Sequence, residues 1–210
     1  MKKEERKLTE KELKRKDAFE KVRANMEQNG FQTKELTLGV VQANIAALFI
    51  MLPFVLFFTW IYYTVNPLTE SSQSLRLDFV FLAVLIVLVV LHEAIHGLTW
   101  GFFAKNHLKS IDFGVIWKML TPYCTCNEAL TKWQYILGGA MPTIILGFGL
   151  SLIATALCSR FLFVLAFIMI FAGGGDFCII LKILLYRPKG KEVVYYDHPY
   201  ECGLVIFEKE

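Results

Sequence analysis

Apolar residues in this chain gather into four long stretches separated by short polar ones. The stretches run over about 43–65, 77–104, 135–158 and 161–186. Each is long enough to cross the ~30 Å hydrocarbon layer of a bilayer, which takes roughly 20 residues of helix. The pattern therefore predicts four membrane helices, with Pro53 kinking the first. The flanks have a different rhythm. Residues 1–29 are polar and strongly charged and read as a soluble helix. Thr9-Glu10-Lys11-Glu12 fits a capping box, and Gly30 fits a stop. Phe19, Val22 and Met26 form a narrow stripe on that helix, suited to lying on the protein itself or on anionic headgroups. Residues 31–41 are mixed and read as extended.

Between the second and third apolar stretches, Ile111, Phe113, Val115 and Trp117 alternate with other residues, which predicts a short strand. Thr121-Pro122 begins a turn, and residues 123–126 are placed to pair back as a hairpin. Residues 193–196 and 204–207 are also strand-like. No internal repeat or low-complexity tract is present.

Composition reinforces the membrane reading. Of 210 residues, 55% are hydrophobic and the mean hydropathy is +0.47, more apolar than a soluble domain of this length requires. The net charge of +3 matters less than its distribution. Lys and Arg number 11 before Gln42, 1 in residues 66–76, 4 in residues 105–134, 1 in the turn at Ser159-Arg160 and 4 after Tyr186. Positive charge favours the cytosolic side, so this alternation predicts both termini and the middle loop in the cytosol. The expected fold is an all-α integral membrane protein of the cell membrane, multi-pass, with about four transmembrane helices and a short cytosolic hairpin. Residues 1–34 are expected to form a cytosolic charged helix, 35–190 the transmembrane domain, and 191–210 a cytosolic tail. No cleaved signal peptide is expected, because the polar start makes the first apolar stretch a retained helix. The lipid bilayer is an expected partner and nucleic acid is not. Five cysteines, three of them on predicted cytosolic segments, argue against a disulfide framework. Cys124 and Cys126 have no matching pair elsewhere and read as free thiols.

One motif carries chemistry. His92-Glu93-Ala94-Ile95-His96 lies within the second apolar stretch. On a helix the two histidines fall one turn apart on one face and can reach one metal ion. Glu93, beside them, can take a proton from water. A catalytic zinc site needs a third protein ligand and an open position. Position 102, where an extended motif would carry another histidine, is Phe102. His107 lies eleven residues past His96 and is expected to be out of reach, and Glu128 sits in a loop. Asp176, in the fourth apolar stretch, is the better candidate, since a carboxylate there costs roughly 2.5–3.5 kcal/mol unless something compensates it. Depth agrees. Phe79 to His92 is 13 residues and Phe161 to Asp176 is 15, so both descend about 20 Å along parallel helices. Gly173, Gly174 and Gly175 would let another helix or a substrate approach closely.

These residues resemble two related arrangements. Site-2-type intramembrane metalloproteases carry His-Glu-x-x-His on one membrane helix and an aspartate ligand on a later one. More closely, the chain resembles the small bacterial zincin peptidase family of membrane proteins. The likeness rests on Leu91-His92-Glu93-Ala94-Ile95-His96-Gly97, Thr121-Pro122-Tyr123-Cys124, Gly174-Gly175-Asp176 and Asp197-His198-Pro199. Two departures from the site-2 pattern stand out. Phe177 follows Asp176 in place of glycine, and Met141-Pro142-Thr143-Ile144-Ile145 keeps a proline but has no asparagine.

The expectation is a membrane-embedded zinc metalloprotease that acts on a membrane or membrane-proximal protein. His92, His96 and Asp176 would bind the zinc ion, Glu93 would be the catalytic base, and the strand bearing Ile111, Phe113, Val115 and Trp117 would bind substrate. A non-catalytic metal-binding membrane protein and a small transporter are the alternatives; four helices without inverted symmetry make transport less attractive.

Overall fold

A computed structural model describes residues 9–67, 78–116 and 121–210. Apolar helices dominate it. After the N-terminal helix α1 (Glu10–Gln28) and strand β1 (Gln32–Thr37) come α2 (Val40–Val65) and α3 (Phe79–Phe103). Asp78 caps α3, its carboxylate accepting from the N–H groups of Val80 and Phe81. A third rod, Lys132–Ala156, is built from α4 (Lys132–Pro142), a π-helical stretch (Thr143–Gly149) and α5 (Leu150–Ala156). The last apolar stretch is broken. Helix α6 (Arg160–Ala172) and helix α7 (Gly174–Leu185) meet at Gly173 with a bend of 41°.

Among the described residues, three helices are long and apolar enough to cross a membrane, and the bent pair makes a fourth if it is one span. All four coincide with the expected stretches. Much of their apolar surface faces outward. Phe49, Trp60, Phe79, Leu98 and Phe102 are each more than 60% exposed, a pattern that suits lipid and would be a liability in water.

The all-α expectation holds for the spanning part and is incomplete at the ends. Strands β4 (Glu192–Asp197) and β5 (Gly203–Lys209) join β1 in an antiparallel sheet of order β1-β5-β4. Thr33 faces Phe207, and Tyr196 faces Val205. The chain before the first span and the chain after the last one therefore lie at the same end of the bundle. Central β5 is buried on both faces. Val205 and Phe207 pack with Tyr196 against Phe19 of α1, while Leu204 and Ile206 pack with Trp100, Tyr135 and Ile183 at the end of the bundle. The stripe on α1 thus lies on the protein itself, and its capping box at Thr9 and Glu12 is formed. Lys34 and Glu208, 174 residues apart, are ion-paired across β1 and β5. Their hydrogen bonds hold Glu208 below the ordinary carboxylate range.

The second β element is the expected hairpin, β2 (Ile111–Ile116) and β3 (Thr121–Cys126), with Phe113 opposite Cys124. It lies along α3. A Cβ on Gly97 would come within 2.4 Å of the Phe113 ring, and one on Gly101 within 2.8 Å of Leu108. These two glycines let the hairpin approach the motif helix. A bridge between Leu130 and Tyr195 joins the segment after the hairpin to the sheet.

Phe19 is the main anchor of α1, so Phe19→Ala should cost about 3 kcal/mol, in the range of buried aromatic truncations. Limited proteolysis of the detergent-solubilised protein should cut within α1 sooner than in the parent.

Candidate metal centre

Helix α3 places His92 and His96 one turn apart on its inner face, and the next residue in that row is Trp100. All three are buried, His92 at 5% and His96 at 4% exposure. Asp176 enters from the first turn of α7, just after the bend at Gly173, where a helix N-terminus favours negative charge. Its Oδ2 lies 3.4 Å from His92 Nε2 and 3.4 Å from His96 Nε2. The three donor atoms all lie within 4.8 Å of one another.

The hydrogen bonding shows what the cluster is short of. His96 Nδ1 lies 2.8 Å from the carbonyl oxygen of Gly138. A carbonyl only accepts, so Nδ1 carries the hydrogen and Nε2 of the neutral ring presents a lone pair. In the neutral ring that lone pair faces a carboxylate oxygen, and a cation shared between the two, a metal ion or a proton on Nε2, makes the contact favourable. Zinc fits the spacing. Ligand bonds of about 2.1 Å at tetrahedral angles put donor atoms about 3.4 Å apart. A buried histidine donating its other N–H to a main-chain carbonyl is also the usual support of a metal ligand. The Asp176 side chain remains 25% exposed, and a Cβ on Gly175 would meet nothing within 4 Å. The centre is closed on the histidine side and open beside the aspartate.

Glu93 faces a cleft of about 340 Å³ bounded by α3 and the hairpin, with Phe113, Gly114, Pro122 and Tyr123 on its far wall. Its carboxyl group interacts with His96, His92 and Asp176 and with the backbone N–H of Cys124. The motif, the later aspartate and the hairpin thus meet in one place. The candidate substrate strand is only partly available. Ile111 is buried under α3, whereas Phe113 and Val115 are 51% and 40% exposed. Trp117 lies outside the described residues.

The weaker candidates have other roles. Glu128 accepts from the N–H groups of Lys105 and Asn106, the Asn106 amide and the Ser110 hydroxyl, and so ties the end of α3 to the hairpin. Burial works against its charge, but those four donors outweigh burial and hold its carboxyl below the usual range. His107 is engaged with the Gly101 carbonyl. Cys124 and Cys126 are free thiols, and burial pushes both up, Cys126 to about 12.

Sequence reasoning missed the supports of the centre. Trp100 stacks on His96 with ring centroids 5.0 Å apart, and its Nε1–H donates to the Tyr135 carbonyl at 3.2 Å. Gly138 leaves room for it, since a Cβ there would sit 2.0 Å from the indole. Trp100 continues the 92, 96, 100 row and was findable by spacing. The Gly138 carbonyl carries no signal in a sequence.

A bundle of helices long and apolar enough to cross a membrane, with two histidines and an aspartate gathered among them, is consistent with a membrane protein that carries a candidate divalent-metal centre. Comparison with known proteins agrees with that class. The profile of the family described as "Putative zincin peptidase" matches residues 85–191, which is just over half the chain and takes in the motif, the hairpin and Asp176. The chain belongs to this family. It is also similar to an uncharacterized protein of Mycobacterium leprae (strain TN), 31% identical over 117 residues that cover 54% of this chain. The match spans 43% of that relative's length. No solved structure matches.

Removing the only acidic member of the cluster should weaken zinc most. Asp176→Ala is expected to lower zinc affinity by at least about 100-fold, the upper range for changes around a metal centre. Competition with a chelating dye would measure it.

Proposed function

We propose that the protein is a membrane-embedded zinc metalloprotease that hydrolyses peptide bonds of a membrane or membrane-proximal protein. The observation that carries this reading is the set of His92 Nε2, His96 Nε2 and Asp176 Oδ2 at zinc-like spacing, with Glu93 alongside on the same helix. Those three residues would hold the ion. When bound, zinc would supply Lewis acidity toward a water molecule and the scissile carbonyl. Glu93 takes the proton from the attacking water and returns it to the departing amine. The Gly138 carbonyl keeps His96 in the tautomer that leaves Nε2 free. Burial of both imidazoles excludes bulk water from the ligand side, so access runs past Asp176 and the cleft.

The charge pattern of the loops favours a cytosolic location for this end of the bundle and for both termini. An extended substrate segment would lie along the hairpin, using the exposed Phe113 and Val115 of β2. Val115 stands opposite Pro122. Proline has no N–H to exchange, so this is a pair whose N–H groups turn away from the partner strand. The outward N–H of Val115 is then available to a bound peptide.

Two variants test the reading. Glu93→Gln should keep its zinc, measured by metal analysis of the purified protein, and lose at least about 100-fold in peptide cleavage. Full cleavage by that variant would sink the enzyme assignment. Zinc binding in the parent without cleavage of any peptide would favour a non-catalytic role, and metal flux in vesicles a transporter. Val115→Pro removes one edge donor and leaves the hairpin paired. It should spare zinc binding and reduce cleavage, and unchanged cleavage would remove β2 as the substrate strand.

A further inference from the structure

One half-buried carboxylate has no part in the chemistry above. Asp197 is the last residue of β4. Its Oδ2 accepts from the Cys126 N–H at 2.7 Å, and its Oδ1 accepts from the Tyr135 hydroxyl. It therefore joins the ends of three elements, β4, β3 and α4. Burial pushes its carboxyl up to about 6, although both donors pull the other way. A carboxylate kept in such a place is costly unless its donors are held firmly.

Both donors lead to the metal centre. Tyr135 holds Trp100 through its carbonyl, and the Trp100 ring lies on His96. One turn further along α4, Gly138 accepts from His96 Nδ1. On the other side, Cys126 lies two residues beyond Cys124, whose N–H meets Glu93. Alternate residues of a strand point their N–H groups to the same edge, so anchoring Cys126 aims Cys124.

We propose that the Tyr135–Asp197 pair is a positioning element of the metal centre. By tying α4 and β3 to the end of β4, it sets the Gly138 carbonyl that orients His96 and the Cys124 N–H that meets Glu93. The inference rests on the reading of His92, His96 and Asp176 as metal ligands. A simple staple between α4 and the sheet would add stability and leave the geometry of the centre unchanged, which separates the two roles.

The full chain, purified and loaded with Co²⁺, reports ligand geometry through its visible absorption bands. Tyr135→Phe removes one oxygen and keeps the ring beside Trp100. It should shift the Co²⁺ bands and weaken zinc on the order of 10-fold, the low end of what partners around metal ligands contribute. Its thermal unfolding without metal should stay near that of the parent. Asp197→Ala should show the same loss or more. Asp197→Asn, whose amide can accept from Cys126 and donate to Tyr135, should recover most of it. Parental bands and affinity in both Tyr135→Phe and Asp197→Ala, in a parent that binds metal, would overturn this assignment alone. Lost stability with unchanged bands would mark a staple and overturn it equally. A parent that binds no metal would instead overturn the protease reading, and this one with it.

Discussion

A carboxylate placed between two imidazoles in an apolar bundle is the constraint around which the rest of this structure is arranged. Asp176 lies 3.4 Å from both His92 Nε2 and His96 Nε2, and the hydrogen bond to Gly138 fixes the hydrogen of the neutral His96 ring on Nδ1, so that Nε2 is the nitrogen that can bind a cation. Such a cluster is costly in a low-dielectric setting unless positive charge is shared among its members. The helices are shaped to allow that sharing. The break at Gly173 turns α7 so that its first turn, rather than the middle of a straight helix, brings Asp176 to the histidines.

Close approach of backbones is the second requirement, and small residues meet it where the centre needs it. Gly138 lets the Trp100 indole lie against α4, which brings the Gly138 carbonyl within reach of His96. Gly97 and Gly101 let the hairpin settle on α3, which encloses Glu93 in a cleft. Each of these contacts puts a fixed protein partner where water would otherwise lie.

The sheet gives the arrangement its boundary. It packs Leu204 and Ile206 against the end of the bundle and Val205 and Phe207 against α1. The centre itself lies among α3, α4 and α7, and the sheet packs on the end of the bundle beyond Trp100 and Tyr135. Asp197 sits at the junction of sheet and bundle, bonded to α4 and β3 at once. The motif helix is thus held on one side by the membrane-type bundle and on the other by the hairpin.

Much of this could be read from local pattern. Runs of about 20 apolar residues define spanning helices because the bilayer imposes that length. His92 and His96 share a face because four residues make about one helical turn. Equal depth along parallel helices was enough to pair Asp176 with them. The hairpin and the capping box at Thr9 follow from short-range chemistry as well. Tertiary structure alone decided the contacts that depend on distant segments. The pairing of β1 with β5 joins residues 174 apart, and six mixed residues at 32–37 cannot announce a partner that far away. The tautomer of His96 is set by a main-chain carbonyl, which every residue possesses and no sequence distinguishes. The meeting of Tyr135, Cys126 and Asp197 required three elements to be packed before any one of the three had a role.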